Sequence, residues 1–550
     1  MSQIIESARE SLASWLEAKP HNFYDADRHL HSTLRLRLGE TTLARHEASF
    51  SAFGALAAGP IDGWARITNQ AANLPRLERY DGIGRRTETI VFHPDYHAIG
   101  RAVYRTGVMS GYAEPGGESA QLVFFYLLGQ DGEAGHCCPL ACTAGLIKLI
   151  QRRGDKDLQA RFLPALLDPD YDTHAHGSQF LTEVQGGSDV GANALRAEPD
   201  GAGGWLLSGE KWFCSAADAQ LYLVTARPAG AAGGTGGLGA FIVPRLLEDG
   251  QPNGIHLRRL KDKLGTRSMA SAEIDFVGAH AVAIGEATGA FKDVVEVVLD
   301  TSRLYNAMAC AAAMRRAEIE ARAYGTARQA FGGSIERFPL VRRSLALIAA
   351  ETRAAVASTF YTSTLADRMA VGRGGDEVYR LLVNVNKYWT SVRNTQVLRE
   401  AIEVLGGNGA IEEFSVLPRL YRDAIVLESW EGTHNVLCAQ IARDIARYAL
   451  DRPYLDDLRT RLAAIREVPA AVAELLERLP RELDAIARMH GDAAALAMRP
   501  FVEHLALGQQ SVCLLEQGDA LAADHLLSLH LPRAETPAET LGRIDALLAS

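Results

Sequence analysis

The sequence has no apolar run long enough to cross a membrane, although 47% of its 550 residues are hydrophobic. A membrane span requires about 20 consecutive, mostly uncharged apolar residues. Residues 1–6 contain neither the basic region nor the apolar core of a secretion signal. We therefore expect a cytoplasmic, globular protein that has no membrane anchor and is long enough for three or four domains.

Cysteine is scarce, and basic residues are outnumbered by acidic ones. The seven cysteines are an odd number, and Cys137, Cys138 and Cys142 lack a second pair at metal-binding spacing. We therefore expect free thiols, with neither a disulfide framework nor a metal site. The formal net charge of −10 at pH 7 argues against a protein whose main partner is a polyanion, although a local basic patch would escape this average.

The spacing of apolar residues changes along the chain. Up to about residue 178 they recur every three or four residues, which predicts helices, and between 179 and 285 the spacing shifts towards two, which predicts a β domain. Long alanine- and leucine-rich segments then predict a helix bundle and a further helical block. We predict a mostly α, α+β protein with domains at residues 1–178, 179–285, 286–450 and 451–550.

A glycine-rich run, Pro228–Gly239, lies inside the predicted β domain. The run lacks the Lys-Ser/Thr ending of a phosphate-binding loop, and it precedes a predicted strand instead of a helix. We therefore interpret it as a flexible hairpin tip.

The segment Leu427–Asn435 reads Leu-Glu-Ser-Trp-Glu-Gly-Thr-His-Asn. A glutamate ahead of a predicted helix is ordinarily a solvated or capping residue. This segment, however, resembles the catalytic-base segment of the acyl-CoA dehydrogenases, in which the Glu of a Tyr/Trp-Glu-Gly-Thr run removes the α-proton of an acyl-CoA thioester while the β-hydrogen leaves as hydride to the flavin. The resemblance implies Glu431 as the base, Gly432 as a substrate contact, and Thr433 and Asn435 as cofactor contacts.

Two segments of the predicted β domain resemble flavin-facing elements of the same family. Residues 179–190 are similar to its Thr-Glu-Pro-Gly-Ala-Gly-Ser-Asp signature and depart from it at Val184 and Gln185, whereas residues 208–215 are similar to its Gly-x-Lys-x-Trp-Ile-Thr strand. Glycines let the backbone approach a ring, and hydroxyls donate hydrogen bonds without adding charge. The resemblance implies FAD contacts by Leu181, Thr182, Gly187, Ser188, Phe213 and Ser215, with Ser188 also near the substrate.

Two further segments resemble the family's ligands for the FAD diphosphate, which reach it from a neighbouring subunit. The Arg-Gln-Ala-Phe-Gly run contains Arg328 and Phe331, and the second segment has Glu403 where the family has Gln, followed by Gly406 and Gly407. A guanidinium group binds phosphate well, but a carboxylate would repel it. We therefore expect cofactor contacts from Arg328 and Phe331, and from the backbone N–H groups of Gly406 and Gly407.

Two other positions, 428 and 302, are alternatives for the catalytic base. Glu428 lies three residues before Glu431 but lacks the following Gly-Thr, so we expect it to face elsewhere. Some members of the family place the base on another helix, directly before an Arg; here Ser302 precedes Arg303 and cannot act as a base. Glu431 is therefore the candidate on this template, and Arg303 is expected to contact the substrate.

The run at residues 79–86 and the Trp that precedes Glu431 most resemble the larger, AidB-like branch of the family, named for a bacterial response protein to DNA alkylation. Its members are homotetramers with an extra C-terminal helical domain. The branch implies a rival function, a flavoprotein that binds or protects DNA with little acyl-CoA turnover. Residues 451–550 hold ten arginines, no lysine and sixteen acidic residues, the wrong balance for binding phosphates.

The resemblance as a whole implies an FAD-dependent acyl-CoA dehydrogenase that passes electrons to an electron-transferring flavoprotein and assembles as a homotetramer. Bulky Leu304, Tyr305 and Met308 favour a short or branched acyl chain. DNA remains a disfavoured partner, and a flavoprotein without catalysis is a further alternative. An oxidase or a monooxygenase on the same fold also stays open, because oxygen reactivity depends on access to the flavin.

Overall fold

A computed structural model describes residues 2–531 and 534–550. The chain divides into two compact units, each assembled from non-consecutive stretches. The first unit contains Met1–Pro60, Glu118–Gly132 and Asn306–Ser550, and the second contains Ile61–Gly117 and Glu133–Tyr305. The predicted mostly helical α+β class is confirmed. The predicted domain boundaries at residues 178, 285 and 450 stay a prediction.

Helices make up most of the described chain, and several begin at side chains that cap the free backbone N–H groups of the first turn. Asp27, for example, accepts from the backbone N–H of Leu30 at 3.0 Å. In chain order the helices are α1 (Ser2–Glu17), α2 (Arg28–Leu56), α3 (Asp62–Thr68), α4 (Pro94–Tyr104), α5 (Glu118–Gly129), α6 (Ala134–Arg153), α7 (Lys156–Leu166), α8 (Phe291–Asp293), α9 (Asp300–Ala327), α10 (Pro339–Ala370), α11 (Asp376–Leu405), α12 (Leu417–Ser429), α13 (His434–Tyr448), α14 (Asp451–Ala463), α15 (Ala470–Ala487), α16 (Asp492–Glu516), α17 (Ala520–His530) and α18 (Pro537–Ala549).

The strands lie mostly between α7 and α8, where the spacing of apolar residues predicted them. They are β1 (Arg76–Tyr80), β2 (Arg86–Val91), β3 (Gly177–Phe180), β4 (Arg196–Pro199), β5 (Trp205–Ser215), β6 (Leu221–Pro228), β7 (Gly239–Pro244), β8 (Ile255–Leu260), β9 (Ser271–Ala283), β10 (Gln329–Ala330) and β11 (Gly333–Ser334). The glycine-rich run joins the antiparallel strands β6 and β7, in agreement with a hairpin connection.

The hairpin of β1 and β2 falls in a region where the sequence pattern predicted mainly helices. Its turn is built by Asp81, whose carboxylate accepts from the backbone N–H groups of Ile83 at 3.0 Å and Arg85 at 2.9 Å. An aspartate that bonds to the backbone two residues ahead is a common way to form a tight turn. The periodicity of the flanking helices conceals this short element.

The pairing of strands in the second unit closes into a ring. Going around it, β6 pairs with β4, β4 with β5, β5 with β9, β9 with β7, and β7 again with β6, while β3 joins β6 and β8 joins β9 at the outside. Closure removes the unpaired strand edges that favour aggregation. The interior is filled by buried apolar side chains, including Leu207, Tyr222, Val224, Phe241 and Ile274.

Within the first unit the long helices α10 and α11 pack along each other, and α2, α5 and α16 pack against α10. The helices after residue 450 are attached to this bundle by buried polar contacts. Arg461 of α14 stacks 3.6 Å from the ring centre of Tyr361 and pairs with Glu516 of α16 at 2.8 Å. Because a buried charge must be paired, this contact fixes α14 and α16 to the bundle.

Candidate active site

The segment that carries Glu431 is a tight connection between α12, which ends at Ser429, and α13, which begins at His434. Glu431 has φ of 57° and Gly432 has φ of 107°, both in the left-handed region. Residues with a Cβ adopt this conformation at a cost of about 1–2 kcal/mol, so neighbouring contacts must hold it. The Glu431 side chain is half-buried.

The main chain around Glu431 is held by side chains from two other helices of the same unit. Asn306 of α9 donates from Nδ2 to the carbonyl of Leu427 at 3.1 Å. Lys387 of α11 donates from Nζ to the carbonyls of Glu428 and Gly432, both at 2.9 Å. The last carbonyls of a helix have no partner within it, so these donors satisfy groups that would otherwise be costly to bury.

The carboxylate of Glu428 is engaged away from Glu431. It accepts from Nε2 of His434 at 2.8 Å and from the hydroxyl of Thr395. Burial alone would raise the pKa of Glu428, but these hydrogen bonds outweigh it and hold the pKa below its ordinary value. Glu428 is therefore an ionised residue with partners of its own.

The two segments predicted to face the flavin lie next to each other in the second unit. The backbone N–H of Trp212 donates to the carbonyl of Thr182 at 2.9 Å. The carbonyl of Leu181 accepts from Lys211 Nζ at 3.1 Å and from Asn193 Nδ2 at 2.6 Å. The structure thus brings the start of the 181–188 segment next to Lys211 and Trp212, and the flavin contacts expected of both segments stay a prediction.

A buried ion pair supports this arrangement. Lys211 Nζ lies 2.9 Å from Glu183 Oε1, and their side chains are 0% and 3% exposed. Glu183 also accepts from the backbone N–H groups of Ala194 at 2.6 Å and Leu195 at 3.1 Å. Burial raises the pKa of Glu183, but the Lys211 ammonium and the backbone N–H of Ala194 outweigh this effect, so the pKa lies below its ordinary value. The pair fixes the start of the loop that follows β3.

A break in strand pairing turns Phe213 outward. The register between β5 and β9 shifts between Lys211 and Cys214, which are both buried, whereas Phe213 is 55% exposed. Such a bulge re-aims side chains at the edge of a sheet. The ammonium of Lys261 lies 3.6 Å from the ring centre of Trp212 and 4.9 Å from that of Phe213, so the pair of rings is backed by a cation.

The hydroxyl and glycine residues of these segments occupy distinct environments. The hydroxyls of Ser215 and Ser271 lie 3.2 Å apart, and Lys263 donates to Ser271 at 3.0 Å. A Cβ on Gly187 would lie 2.5 Å from the hydroxyl oxygen of Thr182, so only glycine fits there. The side chain of Ser188 is exposed.

The two elements predicted to bind diphosphate lie at one end of the first unit. Arg328 follows α9, and Phe331 forms the tip of the hairpin of β10 and β11, where it is 97% exposed. The turn with Gly406 and Gly407 follows α11, and within it Asn408 Nδ2 donates to the hydroxyl of Tyr324 on α9 at 3.1 Å. A Cβ on either glycine would meet nothing within 4 Å, so there is free space beside both Cα atoms, and the backbone N–H of Gly406 donates to the carbonyl of Glu403.

The other predicted contact residues have these positions. Arg303 is buried in the first turn of α9 and pairs with Asp300 at 3.1 Å, while Thr433 and Asn435 are exposed at the start of α13. The buried hydroxyl of Tyr305 lies 2.5 Å from that of Tyr112. These assignments stay predictions.

Sequence reasoning missed several residues that support the site. Asn306, Lys387 and Thr395 lie on long helices that were predicted only as bundle segments, and their contacts with Leu427–Gly432 appear only after folding. The buried residues of α11 include several other polar side chains, among them Asn384, Asn386 and Thr390, so Lys387 does not stand out in the sequence. Lys211 and Glu183 were part of the quoted motifs, but nothing in a linear sequence shows that they pair.

Across residues 2–531 and 534–550, no group of three or more His, Cys, Asp or Glu side chains is arranged to hold a metal ion. In the same part of the chain, no helix combines the length and apolar character that a membrane crossing needs.

Three family models match consecutive parts of the chain. The model described as "Adaptive response protein AidB N-terminal domain" matches residues 16–173, the acyl-CoA dehydrogenase middle domain matches 178–278, and the acyl-CoA dehydrogenase C-terminal domain matches 291–446. Together with the relatives described next, these matches show that the chain belongs to the acyl-CoA dehydrogenase family. The predicted resemblance to the family and to its AidB-like branch is confirmed.

Two relatives cover most of the chain. AidB of Escherichia coli (strain K12) is 36% identical over 399 residues, which span 70% of this chain and 71% of AidB. Acyl-CoA dehydrogenase family member 11 of Caenorhabditis elegans is 32% identical over 449 residues, which span 77% of this chain and 70% of the relative.

Solved structures share the fold, including the helices after residue 450. The apo form of Bd2924 superimposes with a TM-score of 0.84 at 28% identity, over 90% of this chain and 98% of that one. ACDH-11 of Caenorhabditis elegans in complex with C11-CoA has a TM-score of 0.83 at 26% identity, over 96% of this chain and 94% of that one. An acyl-CoA dehydrogenase of Bacillus anthracis complexed with FAD has a TM-score of 0.68 at 18% identity, over 97% of this chain and 89% of that one. This likeness shows a common fold.

Proposed function

We propose that this protein is an FAD-dependent acyl-CoA dehydrogenase in which Glu431 removes the α-proton of an acyl-CoA thioester. The observation that carries this proposal is the conformation and anchoring of the loop at residues 428–432. There Glu431 is half-buried on a left-handed backbone, and Asn306 and Lys387 hold the main chain around it. The neighbouring Glu428 is bound by His434 and Thr395. A base on a strained, well-anchored turn is a common arrangement at catalytic sites.

The residues present fit FAD. Phe331 is an almost fully exposed aromatic ring at the tip of a hairpin, and Arg328 lies just before that hairpin. Gly406 and Gly407 lie in a turn with free space around both Cα atoms, and Asn408 joins this turn to Tyr324. A guanidinium group and glycine N–H groups are suitable ligands for a diphosphate.

In the second unit the ring of Phe213 faces outward, and the adjacent segments carry the neutral hydroxyls of Thr182 and Ser215 and the carbonyl of Leu181, which Lys211 and Asn193 anchor. These are the groups that an isoalloxazine ring requires. FAD would supply the acceptor for the β-hydride at this place.

Chemically, the chain's own contribution is to hold and move a proton. The α-hydrogen of a thioester is weakly acidic, so the base needs a sheltered carboxylate and a donor at the thioester oxygen. Family resemblance assigns that donor to the backbone N–H of Glu431, together with a hydroxyl of the cofactor. Glu431 takes the proton from the α-carbon, and the electron pair of that C–H bond forms the new α,β double bond as the β-hydrogen leaves with its own pair.

We extend the proposal to partners and substrate. Phe331, exposed by 97%, and the open glycine turn support a homotetramer in which these residues contact the FAD of a neighbouring subunit. An electron-transferring flavoprotein would reoxidise the flavin. Buried Leu304, Tyr305 and Met308 support a short or branched acyl chain, and preferential turnover of long acyl-CoAs, of the kind seen bound to ACDH-11 as C11-CoA, would contradict that part.

The AidB-like branch carries a second candidate, a flavoprotein associated with DNA. Against it, arginines of the C-terminal block are engaged with carboxylates: Arg459 with Asp456, Arg461 with Glu516, Arg478 with Glu482, Arg481 with Glu477, and Arg543 with Glu535. This pairing and the excess of acidic over basic residues leave the block little positive charge with which to neutralise phosphates.

The test compares the wild type with two variants, Glu431→Gln and Glu428→Gln. Each protein is mixed anaerobically with isovaleryl-, butyryl-, octanoyl- and palmitoyl-CoA while the visible flavin band is followed. We expect rapid bleaching in the wild type, a loss of at least about a thousandfold in Glu431→Gln with FAD and ligand binding retained, and measurable bleaching in Glu428→Gln. Near-normal bleaching in Glu431→Gln would overturn the assigned base, and a stable oxidised flavin in the wild type would favour the DNA-associated function.

A further inference from the structure

Lys387 is a fully buried lysine in the middle of α11, at 0% exposure. Burying an ammonium group costs several kcal/mol unless it is compensated, and an apolar residue of similar length would fill the same space without that cost. Its Nζ donates to two backbone carbonyls, those of Glu428 and Gly432, at 2.9 Å each. A lysine at this position therefore supplies two directed hydrogen bonds that an apolar residue cannot.

These two carbonyls lie on either side of Glu431, three residues before it and one residue after it. The carbonyl of Glu428 belongs to the last turn of α12, where unpaired carbonyls form the negative end of the helix and attract a cation. The carbonyl of Gly432 belongs to the turn at φ 107° that leads into α13. One ammonium group thus joins the end of one helix to the start of the next across the left-handed residue.

The other anchors of the segment act differently. Asn306 bonds to the carbonyl of Leu427, on one side of Glu431, and His434 and Thr395 bond to the side chain of Glu428. Among these anchors, Lys387 holds the main chain on both sides of Glu431. We propose that Lys387 is the positioning residue of the catalytic loop: it fixes the backbone at Glu431 in the left-handed conformation and so directs the carboxylate towards the substrate.

This role rests on the proposed function, because it matters for catalysis only if Glu431 is the base. The contacts of Lys387 that carry this role are with the backbone carbonyls of Glu428 and Gly432, so it acts through the position of Glu431. A misplacement of about 1 Å in a catalytic group costs roughly a hundredfold in rate. Loss of Lys387 should therefore reduce the rate of proton abstraction while leaving FAD and acyl-CoA bound.

The test uses full-length Lys387→Met, which keeps the length of the side chain but loses the donors, and Lys387→Arg, which keeps donors. Ser391→Ala is the matched control, because Ser391 is buried one turn further along α11 and its hydroxyl donates to the carbonyl of Tyr388 in the same helix, at 3.0 Å. For each protein, hydrogen–deuterium exchange of residues 426–437, FAD content, the unfolding midpoint and the rate of flavin reduction by acyl-CoA are measured.

We expect Lys387→Met to exchange backbone hydrogens at residues 428–433 at least about tenfold faster, with FAD content unchanged and flavin reduction slowed by roughly thirtyfold to a hundredfold. Lys387→Arg should recover part of the rate, and Ser391→Ala should match the wild type. Exchange of the acyl-CoA α-hydrogen with D2O, which reports the base alone, should fall in parallel.

The outcomes separate the two proposals. Unchanged exchange at residues 428–433 in Lys387→Met would overturn the positioning role whether or not the protein is a dehydrogenase. Faster exchange with an unchanged rate of flavin reduction would also overturn it. Faster exchange in a protein whose wild type neither reduces its flavin with any acyl-CoA nor exchanges the α-hydrogen would overturn the proposed function and retain Lys387 only as an anchor of the loop. If Lys387→Met does not fold, Lys387→Gln takes its place: its uncharged amide still donates but ends one atom short of the lysine nitrogen, so a smaller change in the same direction is expected.

Discussion

Replacing Lys211 by Met should remove the charge that holds the loop after β3. In the folded protein the Lys211 ammonium contacts the carboxylate of Glu183 at 2.9 Å, the carbonyl of Leu181 at 3.1 Å and the hydroxyl of Thr225 at 3.4 Å. Methionine fills a similar volume but donates no hydrogen bond. The variant would therefore leave a buried carboxylate without its cation.

The size of the effect follows from this geometry. Removing one partner of a buried ion pair costs about 3–5 kcal/mol, because the remaining charge stays desolvated. In the double variant Lys211→Met/Glu183→Gln no charge remains, and the amide oxygen of the introduced glutamine can still accept from one of the backbone N–H groups that Glu183 now binds. We expect the double variant to lose only about 1–2 kcal/mol, the usual value for a few exchanged hydrogen bonds. The double change should thus be milder than the single one.

Urea unfolding followed by tryptophan fluorescence measures this difference, since Trp212 is adjacent to the pair in sequence. Arg258→Met is the control, because Arg258 bridges Glu210 and Asp275 at the surface. This replacement should lower the free energy of unfolding by less than about 1 kcal/mol. A cost below about 1 kcal/mol for Lys211→Met, or an equal cost for the single and double variants, would refute the reasoning that this pair holds the loop.

Two further predictions concern cofactor binding and pH. Phe331→Ser should leave the unfolding midpoint of the apoprotein unchanged, because the side chain is 97% exposed, and should weaken FAD retention on gel filtration; normal retention would contradict its assignment. Burial lowers the pKa of His136 and of His174 to about 4 in the folded protein. As the pH falls below 6.5, these histidines are therefore protonated in the unfolded chain before they are protonated in the folded one. Stability should therefore decrease between pH 6.5 and 4, by up to about 3 kcal/mol for each histidine, and a urea midpoint that stays constant across this window would contradict the prediction.

Much of the secondary structure was predictable because its periodic signals are strong. The long alanine- and leucine-rich segments predicted as a helix bundle correspond to α9, α10 and α11, and the segments with alternating apolar residues correspond to β5, β6, β7 and β9. The β1–β2 hairpin was missed because its turn depends on two backbone hydrogen bonds to Asp81, which do not show in apolar spacing. Closure of the strand ring depends on pairing between strands that are distant in sequence, and no local sequence pattern indicates it.

The candidate site was predictable where residues form a short motif. Glu431, the loop at residues 181–188 and the strand at residues 212–215 were identified in this way, and the structure joins the latter two through Trp212 and Thr182. Supporting residues were not predictable, because Lys387 reaches the Glu431 loop across more than forty residues of sequence. A lysine in a helix is usually solvated, and only its burial shows otherwise.

The most direct measurement is an anaerobic single turnover with product analysis. The protein, loaded with FAD, is mixed with the acyl-CoA that bleaches its flavin fastest, and the thioester is then examined by mass spectrometry. Dehydrogenation with Glu431 as base predicts a 2-enoyl-CoA that is two hydrogen atoms lighter than the substrate, formed in proportion to the flavin reduced and absent in Glu431→Gln. An unchanged thioester beside oxidised flavin for every acyl-CoA, or equal product from Glu431→Gln, would contradict it.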